Sequence, residues 1–237
     1  MATGEPGANR GPDGTGGPHA LVADLQAPGL EPDDRLHLER VLRLRAGDPL
    51  TVGDGDGRWR DCLFGASLEV VGPVVEVPAH IDEVAVGFSL LKGGRPEMVV
   101  QKLTELGVDR IIPLLAERSI MGWDADKRAV QHERFVKAAR EAGMQSRRVR
   151  LPVIEPVTPA LEVIGRAGVA LAQSGGRHLD AGSRTVLVGP EGGWSPAEVV
   201  GGDLVDLGPT VLRAETAAIA VGTLLTALRD GRVMPPR

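Results

Sequence analysis

The sequence predicts an α/β domain with a mostly parallel sheet, preceded by a small β-barrel. Three observations carry this reading. Between residues 20 and 78, short apolar runs are cut repeatedly by Gly, Asp and Pro. From residue 84 onward, buried-type strand runs alternate with stretches of helical periodicity, the pattern of a parallel sheet with crossover helices. Two glycine-bearing segments, 188–194 and 207–213, each lie between a strand run and a helix start, where α/β sheets bind ligands. The 237 residues are 42% hydrophobic, enough for a sizeable core, and 25% charged.

Residues 1–17 are rich in Gly and Pro and nearly free of large apolar groups, which predicts a disordered leader. Residues 18–80 read as the barrel. Leu50-Thr51-Val52 and 59–64 flank Gly53-Asp54-Gly55-Asp56-Gly57 as a hairpin, and 67–71 and 74–77 are further strands around Gly72-Pro73. The one helix there spans 33–44, opened by Asp33-Asp34. Residues 84–237 form the α/β domain. Strands are expected at 84–91, 110–115, 168–172, 185–188 and 204–207. A helix over 96–106 carries Val99, Leu103 and Leu106 on one face and ends at Gly107, where a C′ glycine belongs. A second covers 127–142, with Phe135, Ala139 and Ala142 inward and Gly143 beyond its end. Ser195-Pro196-Ala197-Glu198 is a capping box with Pro at N1, so a helix starts there. The last helix covers 214–228, with Ala217, Val221, Leu224 and Leu228 on one stripe.

Several function classes fall away on composition. No stretch approaches the roughly eighteen apolar residues of a transmembrane helix, and the opening has no apolar h-region, so neither a membrane span nor a secretory signal is expected. The single cysteine, Cys62, allows no internal disulfide and fits a reducing, cytoplasmic setting; it reads as a small buried hydrophobe. The five histidines lack metal-ligand spacing, and no metal site is assigned. No G-x-S-x-G elbow is present, and Ser195 is a cap rather than a nucleophile.

The net charge of -5 argues against nucleic acid until it is divided along the chain. Residues 18–83 carry a net of -7 and residues 84–150 a net of +5. Lys127 and Arg128 read as a solvated helix face, whereas Arg147-Arg148-Val149-Arg150 is a cluster of the kind that binds phosphates.

The sharpest segment is Val188-Gly189-Pro190-Glu191-Gly192-Gly193-Trp194. It is neither a dinucleotide fingerprint nor a Walker loop; Pro190 removes a donor and Glu191 repels phosphate. A backbone-lined pocket for a less anionic ligand fits better, against a plain strand–helix turn as the alternative. In Leu207-Gly208-Pro209-Thr210-Val211-Leu212-Arg213-Ala214-Glu215-Thr216, capping accounts for Glu215 and Thr216 at the helix N-terminus. It does not account for Arg213, a cation at the wrong end of the dipole; an anionic partner, or pairing with Glu191 or Glu215, is expected.

These two motifs, in this order and spacing, resemble the ribosomal RNA small subunit methyltransferase E family, a branch of the SPOUT methyltransferases. The likeness extends to His37-Leu38-x-x-Val41-Leu42-Arg43-Leu44-x-x-Gly47-Asp48, Gln101-Lys102-Leu103-Thr104-Glu105-Leu106-Gly107-Val108, Glu117-Arg118-Ser119 and Glu141-Ala142-x-x-Gln145-Ser146-x-Arg148, covering nearly everything after the leader. The resemblance implies a PUA-like, RNA-binding β-barrel before a SPOUT-type trefoil-knotted α/β domain. It implies S-adenosylmethionine as methyl donor, N3 of one uridine in 16S ribosomal RNA of the small subunit as acceptor, and a homodimer. Carried over by motif, Val188, Gly189, Pro190, Glu191, Gly192 and Gly193 would line the cofactor pocket with Leu207, Gly208, Val211 and Leu212. Leu171 and Ala172 would form a third wall, with Thr216 beside them. Arg213 would stabilise the uridine anion, and Glu215 would take the N3 proton or orient Arg213. Lys92, Lys102, Arg118, Gln145, Arg147 and Arg148 would contact RNA. The family's Arg-aromatic opening is replaced here by Gly17-Pro18-His19-Ala20-Leu21-Val22, so that RNA contact is lost or supplied by His19 or Arg10. Two competing readings remain: a related SPOUT enzyme acting on a ribose 2′-hydroxyl or another base, and a non-catalytic RNA-binding protein of ribosome assembly.

Overall fold

The computed structural model describes residues 11–90, 96–119 and 123–234. The chain divides into two compact units, residues 1–80 with 140–151, and residues 81–139 with 152–237.

The first unit holds β1 (His19–Leu21), α1 (Pro32–Arg40), β2 (Pro49–Gly53), β3 (Arg58–Leu63), β4 (Glu69–Val70) and β5 (Val75–Glu76). β1 runs parallel to β2, and the other pairs are antiparallel, with β3 at the centre. The hairpin at the Gly/Asp turn forms as the sequence predicts, Pro49 facing Leu63 and Gly53 facing Trp59. Inward positions Leu50, Val52, Cys62 and Phe64 pack with Val22, Leu25 and Leu38 into this unit's core. The strands expected at 67–71 and 74–77 shrink to two residues each, because both pair with different ends of β3. Between them the buried Arg60 guanidinium donates to the Gly72 carbonyl and, at 2.9 Å, to that of Leu25. Residues 13–15 form a turn in which the Asp13 carboxylate accepts from the Thr15 amide at 2.9 Å.

The second unit is a three-layer sandwich. Its elements are β6 (Ala85–Ser89), α2 (Pro96–Glu105), β7 (Arg110–Leu115), α3 (Ala125–Ser146, of which residues from 140 on belong to the first unit), β8 (Val153–Ile154), β9 (Thr158–Pro159) and α4 (Ala160–Ile164). There follow β10 (Val169–His178), β11 (Thr185–Val188), α5 (Pro196–Val199), β12 (Asp203–Asp206) and α6 (Ala214–Arg229). The sheet order is β12-β10-β11-β6-β7-β8, with β9 also on β7, and every described pair is parallel. Alternation along the strands sorts side chains to two faces. Val86, Phe88, Ile111, Val186 and Val188 pack against α2, α6 and Phe135 and Ala139 of α3. Ile112, Leu114, Leu171 and Leu187 face α4 and Trp194. The chain crosses from β7 and β9 to β10, doubles back to β11, and leaves again to the edge at β12. Three consecutive connections therefore converge on the carboxyl ends of β10, β11 and β12.

Two helix ends differ from expectation. α1 stops at Arg40 rather than 44, capped by Val41 whose amide bonds the His37 carbonyl, and α3 runs through Gly143 to Ser146. α3 is closed by Arg147 in the left-handed region, at φ 57°. The Arg148 amide bonds the Gly143 carbonyl at 2.8 Å, the 6→1 bond of a Schellman end. Gly143 serves packing instead: a Cβ there would collide with Leu151. Strand β10 also outruns the expected 168–172, because residues 173–176 bulge and Ala172 and Arg177 both register with Val205.

His19 is 5% exposed, with Nδ1 2.8 Å from the Thr51 hydroxyl. Arg10 lies outside the described residues. Burial, reinforced by the Arg147 charge, pushes the His19 pKa from 6.5 down to about 4. The unfolded chain therefore binds a proton below pH 6.5 that the folded chain refuses until about 4, so stability falls as pH drops through that window. The loss attributable to His19 is up to about 3 kcal/mol. Denaturant unfolding of the protein and of His19→Gln at pH 7 and pH 4.5 checks this: the substitution flattens the pH dependence.

Candidate functional site

A cleft of about 210 Å³ opens at the carboxyl ends of β10, β11 and β12. Ala172, Gln173 and Ser174 form one wall, Val188 to Glu191 with Gly193 and Trp194 a second, and Asp206 to Gly208 with Thr210 to Leu212 a third; Ala214 and Ala217 of α6 close it. Among the described residues, its lining holds no Lys, Arg or His, and its two formal charges are the carboxylates of Glu191 and Asp206.

The second wall is built from its capping box outward. Ser195 Oγ accepts from the Glu198 amide at 3.3 Å, and Glu198 Oε2 accepts from the Ser195 amide at 2.8 Å. Glu198 is 1% exposed, and its other oxygen accepts from the Glu117 amide at 2.9 Å, 81 residues away in the chain. One residue on, Arg118 Nη1 donates to the Gly192 carbonyl at 2.9 Å. The segment after β7 is thereby tied twice to the glycine loop. The glycines themselves answer to internal packing. A Cβ on Gly189 would sit 2.9 Å from the Trp194 indole, whose Nε1 donates to the Ala172 carbonyl at 3.2 Å. Gly193 takes φ 69°, and Gly192 turns its carbonyl to Arg118 rather than lining the cleft.

The third wall depends on Asp206. Its Oδ1 accepts from the Gly208 amide and its Oδ2 from the Gly175 amide, each at 2.8 Å. These backbone donors, Gly208 first, hold its pKa below the usual carboxylate value. Gly208, at φ 123°, makes the turn that follows. Gly176 lets β10 lie against β12, since a Cβ there would meet the Leu204 carbonyl carbon at 2.5 Å.

The motif residues divide as follows. Ala172, Val188, Gly189, Pro190, Glu191, Gly193, Leu207, Gly208, Val211 and Leu212 line the cleft. Leu171 is buried on the opposite face of the sheet. Arg213 is the N-cap of α6, extended and exposed, and its guanidinium pairs with no described residue; the expected pairing with Glu191 or Glu215 does not occur. No side chain caps α6, so Glu215 and Thr216 are not the caps they were read as. They project from the helix between Ala214 and Ala217, whose i, i+3 face borders the cleft. Gln173, Ser174, Trp194, Asp206 and Thr210 are lining residues that motif reading did not single out. Their only sequence signal was proximity to the two motifs.

The basic residues are mostly engaged. Lys102 Nζ lies 2.8 Å from the Glu105 carboxylate. Arg148 Nε donates to the Arg150 carbonyl at 2.6 Å, and Arg150 to that of Val77 at 3.1 Å. Gln145 and Arg147 line a second cleft, of about 880 Å³, within the first unit, beside His19, His37 and Glu141. Lys92 lies outside the described residues. Burial raises the Cys62 thiol pKa, keeping it protonated within the core. No described group of three His, Cys, Asp or Glu is placed to hold a metal ion, and no described helix is long and apolar enough to cross a membrane.

A parallel sheet with a backbone-walled cleft at its switch-back strands, free of lining cations among the described residues, defines a class. The family model for the RNA methyltransferase domain matches residues 78–226. A putative methyltransferase from Legionella pneumophila, solved with bound S-adenosylmethionine, superposes with a TM-score of 0.76 at 27% identity, over 88% of this chain and 96% of that one. A ribosomal RNA small subunit methyltransferase E from Neisseria gonorrhoeae, also bound to S-adenosylmethionine, superposes at 0.70 with 25% identity, over 89% and 97%. The fold is thus the SPOUT-type knotted α/β fold with a mostly parallel sheet, preceded by a small β unit.

Relatives of the same name narrow the class. The one from Mycobacterium bovis is 34% identical over 81% of this chain and 83% of its own; that from Bacillus subtilis is 32% identical over 77% and 83%. The chain belongs to the ribosomal RNA small subunit methyltransferase E family.

Glu198→Gln replaces one acceptor of the box with an amide donor facing a backbone N–H. Such a change is expected to cost about 2 kcal/mol in unfolding free energy. It also frees the glycine loop, so hydrogen exchange should accelerate at the Ser195 and Glu117 amides together. Faster exchange at Ser195 alone would mean that the bond to Glu117 does not matter.

Proposed function

We propose that the chain is an S-adenosylmethionine-dependent methyltransferase that methylates N3 of a uridine in 16S ribosomal RNA. One observation carries the reading: the two motifs characteristic of the family meet in one cleft whose walls are glycine, aliphatic and backbone groups, with carboxylates as its only charges. That chemistry suits a ligand with a neutral adenine, a ribose and a sulfonium cation, and disfavours a nucleotide polyphosphate. When bound, S-adenosylmethionine supplies an electrophilic methyl group on a positively charged sulfur.

The chain's own residues have the remaining tasks. The loops at 188–194 and 206–212 hold the cofactor between backbone groups and exclude water from its adenine. Uridine N3 must lose its proton to become nucleophilic, and the exposed, unpaired guanidinium of Arg213 at the cleft edge is the group for the resulting anion. Glu215, half-buried in the first turn of α6, takes the proton or orients Arg213. Residues 18–80 bind RNA in this reading and residues 84–237 transfer the methyl group. Lys102, Arg118, Gln145, Arg147 and Arg148, with Lys92, are the RNA contacts. The reading includes a cytoplasmic homodimer.

Incubating the protein with small subunits or 16S RNA and methyl-labelled S-adenosylmethionine, then mapping the product by mass, tests this. N3-methyluridine at one nucleotide is expected; label on a ribose supports the 2′-hydroxyl reading instead. Absence of cofactor binding by calorimetry supports a non-catalytic RNA-binding role. Arg213→Ala should lower the transfer rate about a hundredfold with cofactor affinity nearly unchanged. A matching loss in affinity would make Arg213 a binding residue.

A further inference from the structure

The Asp206 carboxylate lies in the cleft wall and outside both motifs. It is fixed there by the Gly175 and Gly208 amides, and it joins the β10 bulge to the loop after β12. Glu191 stands on the opposing loop, exposed and without an ion pair among the described residues. No lining cation offsets the pair.

We propose that Asp206, together with Glu191, makes the cleft select the charged methyl donor over its demethylated product. This rests on the methyltransferase reading above. Methyl transfer breaks the S–CH3 bond and forms an N–CH3 bond at uridine N3. The sulfur keeps the electron pair of the broken bond, and the N3 proton passes through a base to solvent. The ligand left in the cleft, S-adenosylhomocysteine, is a neutral thioether that has lost one unit of positive charge and is otherwise the same shape. Backbone and aliphatic walls contact donor and product alike, so they cannot tell them apart. Fixed negative charge can, because it stabilises the sulfonium form alone. Asp206 is suited to this because two backbone donors keep it ionised and immobile, so its field needs no rearrangement when the ligand enters. The same carboxylate weakens retention of the product, which favours release after transfer.

The experiment is calorimetric titration of the full chain at low salt with S-adenosylmethionine and with S-adenosylhomocysteine. It is repeated on Asp206→Asn, Glu191→Gln and the double variant. Two unit charges about 8 Å apart in a partly solvated site change an affinity roughly two- to sixfold. Each substitution should therefore reduce the preference for donor over product by roughly that factor, and the double variant by more. Donor affinity should fall while product affinity holds. A donor analogue with an ammonium group in place of the methylated sulfonium should follow the donor. Equal losses for donor and product in Asp206→Asn would make Asp206 a scaffold residue and overturn the inference, as would an unchanged ratio in both single variants. Should Asp206→Asn fail to fold, Glu191→Gln decides alone, since Glu191 bonds no other described group. If the unsubstituted protein binds neither ligand, the methyltransferase reading itself fails.

Discussion

The buried carboxylate of Glu198 is the constraint on which the candidate site depends. A carboxylate that is 1% exposed must be surrounded by donors, and here each oxygen takes a backbone N–H, from Ser195 and from Glu117. Those two amides belong to loops leaving different strands, β11 and β7. Satisfying one buried charge therefore brings two distant loops into fixed register. Arg118 then reaches Gly192, and Trp194 is turned so that its indole covers Gly189 and bonds Ala172 on β10. Asp206 works in the same way on the other side, at 2.8 Å from amides on β10 and on the loop after β12. The cleft is thus framed by carboxylates that bond backbone rather than by side chains that face a ligand.

This framing explains why the cleft can be at once glycine-rich and well defined. Glycine loops are costly to order, losing more backbone freedom than any other residue type. At Gly189 and Gly193 the cost is met by a buried indole and a local 2.8 Å bond from the Gly193 amide to the Pro190 carbonyl. The glycines are required by the protein's own packing, and the backbone they leave uncovered is what a ligand meets. Polar contacts from backbone amides and carbonyls, with no lining cation, set the ligand class more sharply than any single side chain does.

Much of this was legible in the sequence, for physical reasons that can be named. The capping box at 195–198 is a local motif with a local cause, and it forms as read. The alternating strands and helices after residue 84 follow from periodicity, which depends on the core alone. What escaped reading has nonlocal or atypical causes. The second bond of Glu198 spans 81 residues. Asp206, Gln173 and Ser174 reach the cleft only because β10 bulges after Ala172 and both Ala172 and Arg177 register with Val205, an irregularity no hydrophobic pattern announces. α3 runs past the expected end because the left-handed residue that closes it is Arg147, where glycine is the usual signal.

The charge arithmetic also changes once partners are known. Residues 84–150 carry a formal net of +5. Lys102 is matched by Glu105, Arg140 by Asp34, and Arg110 by Glu83 and Glu155. Arg148 and Arg150 spend donors on carbonyls of their own unit. Formal charge therefore overstates the positive groups free to meet phosphate. Fewer free cations mean fewer phosphates neutralised and so less counterion release on any RNA. Proteins that read RNA specifically do so through its shape and through loops and unstacked nucleotides. The exposed Arg213 guanidinium, which pairs with no described residue, stands beside a cleft whose lining charges are two carboxylates.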